Sequence, residues 1–433
     1  MSSKKEKKSF SGIVAPIVSA SILVLGMGLY IVLTSVQMES LNEPDWAIGL
    51  MSGIYYLGFL LGSYLCQYLI LRVGHIRTYS VLNSILIISA LLQGIAVNVW
   101  LWGPLRFLGG FAIAGNFLTL ESWLLGASTR KNRGMILAVY SISYYLNQGF
   151  SNVLLRFHST ANNSQDLILY IVIAIFVTLS ILPVTLTKFS APYPESPEIL
   201  SIKKLIKITP VGVFSTLVAG VVLSITYSLL AIYFKVGYSI DQVSTLMLVL
   251  FIGGTAGQLP FGKLSDLIDR RKVLCLMFLL IIITAGAFPF IYNNWSLLLV
   301  CVFLFGFIAF CLYPVAVSHT IDQLKPKELI SGTAALCLIY GIGSCFGPPL
   351  VSWFTHIFGT QNAMIYFIMI TSAVVLVFII FDLFFGKAVD VDKQKESSIV
   401  PRTTPEIMQL NPKFTDAQID EHHTTTLNKD KIK

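Results

Sequence analysis

Long apolar runs recur along this chain, broken by short clusters of charge, glycine and proline. Each run matches the roughly 20 residues that an α-helix needs to cross a bilayer's hydrocarbon core. They predict twelve spans, near residues 11–36, 46–71, 76–98, 100–127, 134–157, 166–188, 209–235, 241–265, 273–292, 295–320, 329–356 and 361–385. The stretch 189–208 interrupts the rhythm with Pro192, Pro194 and Pro197, then Lys203, Lys204 and Lys207. It is too polar to span and divides the helices six and six, as a linker with a short amphipathic piece.

The ends read differently. Residues 1–10 are basic, and the apolar run from Ile13 to Val36 is too long for a signal-peptide core and lacks a small-residue cleavage site. It reads as an uncleaved first span. Residues 387–433 carry eight basic and eight acidic side chains among threonines, the composition of a disordered tail. The expected organisation is therefore a basic N-terminus (1–10), a six-helix bundle (11–188), a linker (189–208), a second six-helix bundle (209–386) and a tail (387–433).

Charge sets the orientation. The two termini and the even-numbered loops hold 27 of the 30 Lys and Arg residues, whereas the alternate loops hold only Arg156 and Lys235. Under the positive-inside rule both termini face the cytoplasm. The overall composition agrees: 55% hydrophobic and 12% charged, with a mean hydropathy of +0.76. That excludes a soluble enzyme, a disordered chain and a nucleic-acid module. A pI near 9.0 would ordinarily suggest an acidic partner, but here the basic residues border apolar spans, so the partner is the lipid bilayer. The six cysteines all lie in apolar stretches without a CxxC pair, so neither a disulfide framework nor a metal site is expected.

The two halves resemble each other. Gly134 and Gly149 are matched by Gly332 and Gly347 at a shift of 198, and Arg72–Arg77 by Leu267–Lys272 at a shift of 195. Between them, Gly109–Ala114 aligns with Phe305–Phe310 at a shift of about 197. A duplicated six-helix unit implies a binding site between the halves, exposed alternately to either side.

Candidate chemistry begins at the exit of the eighth span, Gly262-Lys263-Leu264-Ser265-Asp266-Leu267-Ile268-Asp269-Arg270-Arg271-Lys272. The glycine allows close helix approach, and Asp266 paired with Arg270 or Arg271 can latch neighbouring helices in one state. Here the chain resembles the major facilitator superfamily, whose signature in these loops runs Gly-x-Leu-x-Asp-Arg-x-Gly-Arg-Arg-Lys. It departs at Leu267 and Asp269, and the first-half copy keeps only Arg72, Gly74 and Arg77, with Gln67 and Leu71 replacing Gly and Asp. Arg106-Phe107-Leu108-Gly109-Gly110 is similar to the superfamily's Arg-x-x-x-Gly pattern in the fourth span. A narrower set resembles the YcaD-like bacterial group: Gly74-His75-Ile76-Arg77, Arg106, Glu121-Ser122-Trp123-Leu124, Arg133-Gly134 and Tyr140. The resemblance implies an all-α major facilitator fold in a bacterial inner membrane and secondary transport, without a defined substrate.

The residues carry their own argument. An arginine one third of the way into a span costs about 2.5–3.5 kcal/mol on insertion scales, so Arg106 must face the interior with a partner. Glu121 lies fifteen residues on, about 22 Å along the helix and within roughly 60° of the same face. Near Arg130 and Arg133, it can serve either as a gate salt bridge or as a proton site. Tyr140, Tyr144, Asn147 and Ser151 form a polar stripe at i, i+4, i+7 and i+11 that suits a wet cavity. Tyr30, Tyr227, Gln258, Tyr313 and Tyr340 are isolated further candidates for the path. His319 and Asp322 end the tenth span, as a cytoplasmic gate or as a helix cap. Aromatic hydroxyls with few charges suit an amphipathic or weakly charged solute better than a phosphorylated one.

Gly-x4-Gly-Lys-Ser/Thr, HExxH and GxSxG are all missing from the sequence, so no cofactor and no ATP-driven step is expected. The expected protein is not an enzyme. It is a monomeric transporter of a small-molecule substrate with protons as coupling ion; a non-transporting receptor or assembly protein on the same fold is the alternative.

Overall fold

A computed structural model describes residues 2–128, 132–157, 167–187, 200–325, 328–360 and 362–385, with side chains from Gly12 onward. Pro192, Pro194, Pro197, Arg130 and the tail 387–433 lie outside the described residues. The fold is helical. The first half comprises α1 (Ser2–Ser40), α2 (Asp45–Val73), α3 (His75–Ile95), α4 (Val99–Ala127), α5 (Arg133–Val153) and α6 (Leu167–Thr185). A short α7 (Ile202–Ile208) precedes the second half: α8 (Pro210–Ser228), α9 (Leu230–Lys235), α10 (Ile240–Leu267), α11 (Arg270–Ile291), α12 (Trp295–Ala309), α13 (Leu312–Gln323), α14 (Leu329–Phe358) and α15 (Ala363–Phe385).

Among the described residues, eleven helices are long and apolar enough to cross a membrane. The twelfth span of the fold is α5, whose tyrosines, serines and amides lower its apolarity although its 21 residues suffice in length. Those polar groups are not wasted on lipid, because α5 packs between α1 and α10. Two spans are broken. The seventh divides into α8 and α9 at Leu229, and the tenth into α12 and α13 at Phe310–Cys311.

Local chemistry explains the ends. Asn98 caps α4 by accepting from the Trp100 and Leu101 N–H groups, and Ser239 with Gln242 forms a capping box on α10. Gly74 joins α2 to α3 at φ +84° and ψ 167°, a backbone conformation open essentially to glycine alone that costs other residues about 1–3 kcal/mol.

The repeat is visible atom by atom. A Cβ on Gly58, Gly62 or Gly110 would collide with the carbonyl of Phe107, Phe111 or Tyr55, so α2 and α4 touch through backbone. In the second half Gly253, Gly257 and Gly306 meet the carbonyls of Phe303, Phe307 and Leu250, each 195 or 196 positions on. One close-packed helix pair is thus built twice. The halves meet along α2 with α14 and α5 with α10. α4 is 83% buried over its apolar window and α15 only 33%, so α4 is a central helix and α15 faces outward.

Candidate translocation site between the two halves

Six tyrosines converge where the halves meet. Tyr55 and Tyr56 come from α2, Tyr144 from α5, Tyr227 from α8, Tyr313 from α13 and Tyr340 from α14. With Ser63, Cys337 and Ser344 they wall a cavity of about 60 Å³. That holds roughly four waters. A solute larger than this requires the walls to move. Among the described residues, no charged side chain lines the cavity.

The rings are braced across the interface. Phe310, at the break between α12 and α13, stacks on Tyr145 of the first half at 5.5 Å and on Phe251 at 5.1 Å. Tyr227 packs on the same Phe310 at 5.5 Å. Tyr313 contacts Tyr340 at 5.0 Å, and its hydroxyl lies 3.1 Å from the Cys337 thiol.

Arg106 sits behind this wall, 1% exposed. Its guanidinium carbon lies 4.6 Å from the ring centroids of both Tyr30 and Tyr55. One terminal N–H₂ donates to the Tyr30 carbonyl (3.0 Å) and the Thr34 hydroxyl (3.2 Å) on α1. Nε has no hydrogen-bond partner among the described residues. Tyr30, whose hydroxyl donates to the Leu105 carbonyl at 3.2 Å, is fully buried and is not a wall of the cavity.

Glu121 is buried too, and Tyr140 donates to it at 2.8 Å. Arg106 and Glu121 therefore face neighbouring helices of their own half, α1 and α5, rather than the cavity. The polar stripe on α5 divides in the same way. Tyr144 lines the cavity, Tyr140 serves Glu121, and the Asn147 amide turns back on Ser143. Gln258 donates to the carbonyls of Gly254 and Phe310.

At the end of the bundle that holds the α10–α11 turn, a charge network knits the second half. Arg270, fully buried, donates to Asp266 on α10 at 3.2 Å and forms an ion pair with Asp322 on α13 at 3.0 Å. Arg271 bonds Asp269 at 2.8 Å and Asp382 on α15 at 3.1 Å. Burial alone would raise the Asp269 carboxyl, but the N–H donors and charge of Arg271 prevail and hold it below the usual carboxylate range. Its contribution to stability is accordingly present at neutral pH and is lost as pH falls through that lowered value. His319 is buried beside the network and contacts Gln323 at 2.8 Å. In the first half Arg72 and Arg77 are exposed and form no ion pair among the described residues, and Arg133 donates to Ser128 at 3.2 Å. The charge latch of Gly262–Lys272 thus has no first-half counterpart at Arg72 and Arg77. Asp266→Asn is expected to shift the conformational equilibrium several-fold, because Asp266 is a quarter exposed and its bond to Arg270 contributes about 1 kcal/mol. Increased labelling of a cavity thiol from that end would register it; unchanged labelling would leave the cluster a topology signal.

The opposite end carries ties between the halves. Lys235 at the end of α9 pairs with Glu39 and donates to Ser40 (2.5 Å) at the end of α1. Arg156 donates to Thr245 on α10 at 3.0 Å. On the α7 side, Lys204 bonds Glu328 at 2.5 Å and docks α7 at the start of α14.

Comparison with known proteins fits this architecture. An uncharacterized MFS-type transporter YcaD of Escherichia fergusonii is 29% identical over 338 residues, 77% of this chain and 86% of the relative. Its namesake from Salmonella enteritidis PT4 is 27% identical over 336 residues, 76% and 85% of the two chains. Among solved structures, the nucleoside transporter NupG superposes with a TM-score of 0.69 at 13% identity, covering 87% of this chain and all of that one. The N162A variant of the E. coli fucose:proton symporter FucP gives 0.54 at 14% identity, over 85% and 98%. The family model of the Major Facilitator Superfamily matches residues 17–236 and again 211–414. Two copies of one helical unit, a shared cavity and this match across both halves lead to one conclusion: the chain is a multi-pass membrane protein that belongs to the Major Facilitator Superfamily of transporters.

Proposed function

We propose that this protein is a secondary active transporter that moves a small organic solute across the bacterial inner membrane by alternating access, coupled to protons. The observation that carries the reading is the cavity itself, walled by tyrosines from both halves, which are tied to each other where the Tyr64 hydroxyl donates to the Ala334 carbonyl at 2.7 Å and where Lys235 donates to Ser40. A site shared by two pseudo-symmetric units opens to one side or the other when the units rock. Glu121, buried and bonded to Tyr140, is a carboxylate on the most buried helix and supplies a group that protons can load. Asp266, Arg270 and Arg271 act as the latch of the α10–α11 turn in this scheme, with His319 and Asp322 behind it.

The test is accumulation in proteoliposomes under an imposed pH gradient across a panel of labelled solutes. Uptake above equilibrium that collapses with the gradient is expected. Saturable binding without accumulation would instead indicate a receptor. In the same scheme both termini are cytoplasmic, so a reporter active only in the periplasm, fused after Lys387, should stay silent.

A further inference from the structure

We infer that the solute is an amphipathic organic monoanion with a planar aromatic body, an inference that rests on the tyrosine cavity being the transport site. Two independent observations meet here. The first is a buried charge with nothing to balance it. Arg106 is 1% exposed, no carboxylate pairs with it among the described residues, and its Nε donor is unsatisfied. Two ring faces and two α1 oxygens solvate the guanidinium, but they supply dipoles and not a negative charge. Among the described residues the other buried guanidinium groups have counter-ions: Arg270 has Asp322 and Arg271 has Asp269. A cation kept in a low-dielectric interior without one is a potential waiting for a mobile anion.

The second observation is the wall. Tyr55 stacks on Arg106 with one face and belongs to the cavity, so the charge lies about one ring away from any bound solute. At about 8 Å and an effective dielectric near 20, it favours an anion over a neutral isostere on the order of 30-fold. It disfavours an organic cation by a similar factor. A second negative charge would find no partner, since the described cavity lining has no Lys, Arg or His. Nor do the described lining residues offer Asn, Gln, Asp or Glu to pair the hydroxyls of a sugar. Facing tyrosine rings instead accept a flat ring edge-on or offset, with phenol and serine hydroxyls for its polar edge.

An isosteric series tests this whatever the natural solute is. Purified protein in lipid nanodiscs is alkylated with a maleimide, and Cys337 modification is counted by peptide mass spectrometry. The competitors at pH 7 are 2-naphthoate, 2-naphthamide, 2-naphthylmethylammonium and naphthalene-2,6-dicarboxylate. Naphthoate should protect Cys337 at concentrations about 30-fold lower than the amide, with the ammonium and the dianion weaker still. In Arg106→Gln the naphthoate and amide should converge to within about threefold. The wild-type series decides the matter even if that variant folds poorly. Equal protection by amide and carboxylate, a preference for the ammonium, or no protection by any member would overturn the inference. Protection by naphthoate without gradient-driven uptake would uphold it and remove the transport reading; uptake of the ammonium but not of the carboxylate would do the reverse.

Discussion

Arg106→Ala is expected to abolish solute accumulation, by more than about 30-fold, while the protein reaches the membrane at near-normal level. The loss of transport follows from removing the positive potential behind Tyr55, beside a cavity whose lining among the described residues carries no charge. The tolerance in folding follows from magnitudes. Inserting the wild-type arginine costs about 2.5–3.5 kcal/mol. Each of its two hydrogen bonds to α1 offsets about 1 kcal/mol of this, and each ring a similar amount. These terms nearly cancel, and truncation strands no carboxylate. Arg106→Lys keeps the charge but loses the flat guanidinium that fits between Tyr30 and Tyr55, so it should insert normally and bind solute poorly. Normal transport by the alanine variant would make Arg106 dispensable, and its disappearance from the membrane would make it structural.

Asp322→Ala should have the largest effect on stability. Arg270 is fully buried and is held by two carboxylates, of which Asp322 is the less exposed and the nearer. Removing it leaves a buried guanidinium with the more distant, quarter-exposed Asp266. Breaking a buried pair from one side costs about 3–5 kcal/mol. In detergent this should appear as a fall of several degrees in Tm, well beyond that of Asp266→Asn. An unchanged Tm would mean that Asp266 alone suffices for Arg270.

Much of this was legible in the sequence because a bilayer leaves few options. A span must satisfy its backbone internally, so apolar runs read directly as helices. Gly110 and Gly306 declared the repeat, since only glycine permits the contacts with the Tyr55 and Leu250 carbonyls that this pair makes. The breaks at Leu229 and Phe310 were not legible. Neither position is a proline or a glycine; at Phe310 the ring stacks between Tyr145 and Phe251, so tertiary packing accompanies the break. The polar stripe on α5 was legible as a stripe, but not its division between Glu121 and the cavity, which depends on where α4 lies. Tyr55 and Tyr56 were missed as cavity walls, because two tyrosines in an apolar run look like interfacial anchors or filler. Asp382 was passed over as well. A carboxylate near the end of the last span asks for a partner, and Arg271 is that partner.

The central claim is that one cavity opens in turn to both sides of the membrane. Its most direct test is the reactivity of Cys337, a native thiol in the cavity wall, toward a membrane-impermeant maleimide applied to spheroplasts and to inverted vesicles. Alternating access predicts modification of the same thiol from both sides. It also predicts faster modification in spheroplasts for Lys235→Glu, which sets two carboxylates against each other where Lys235 now holds Glu39. Modification from one side only, unmoved by that substitution, would describe a static pocket and contradict the claim.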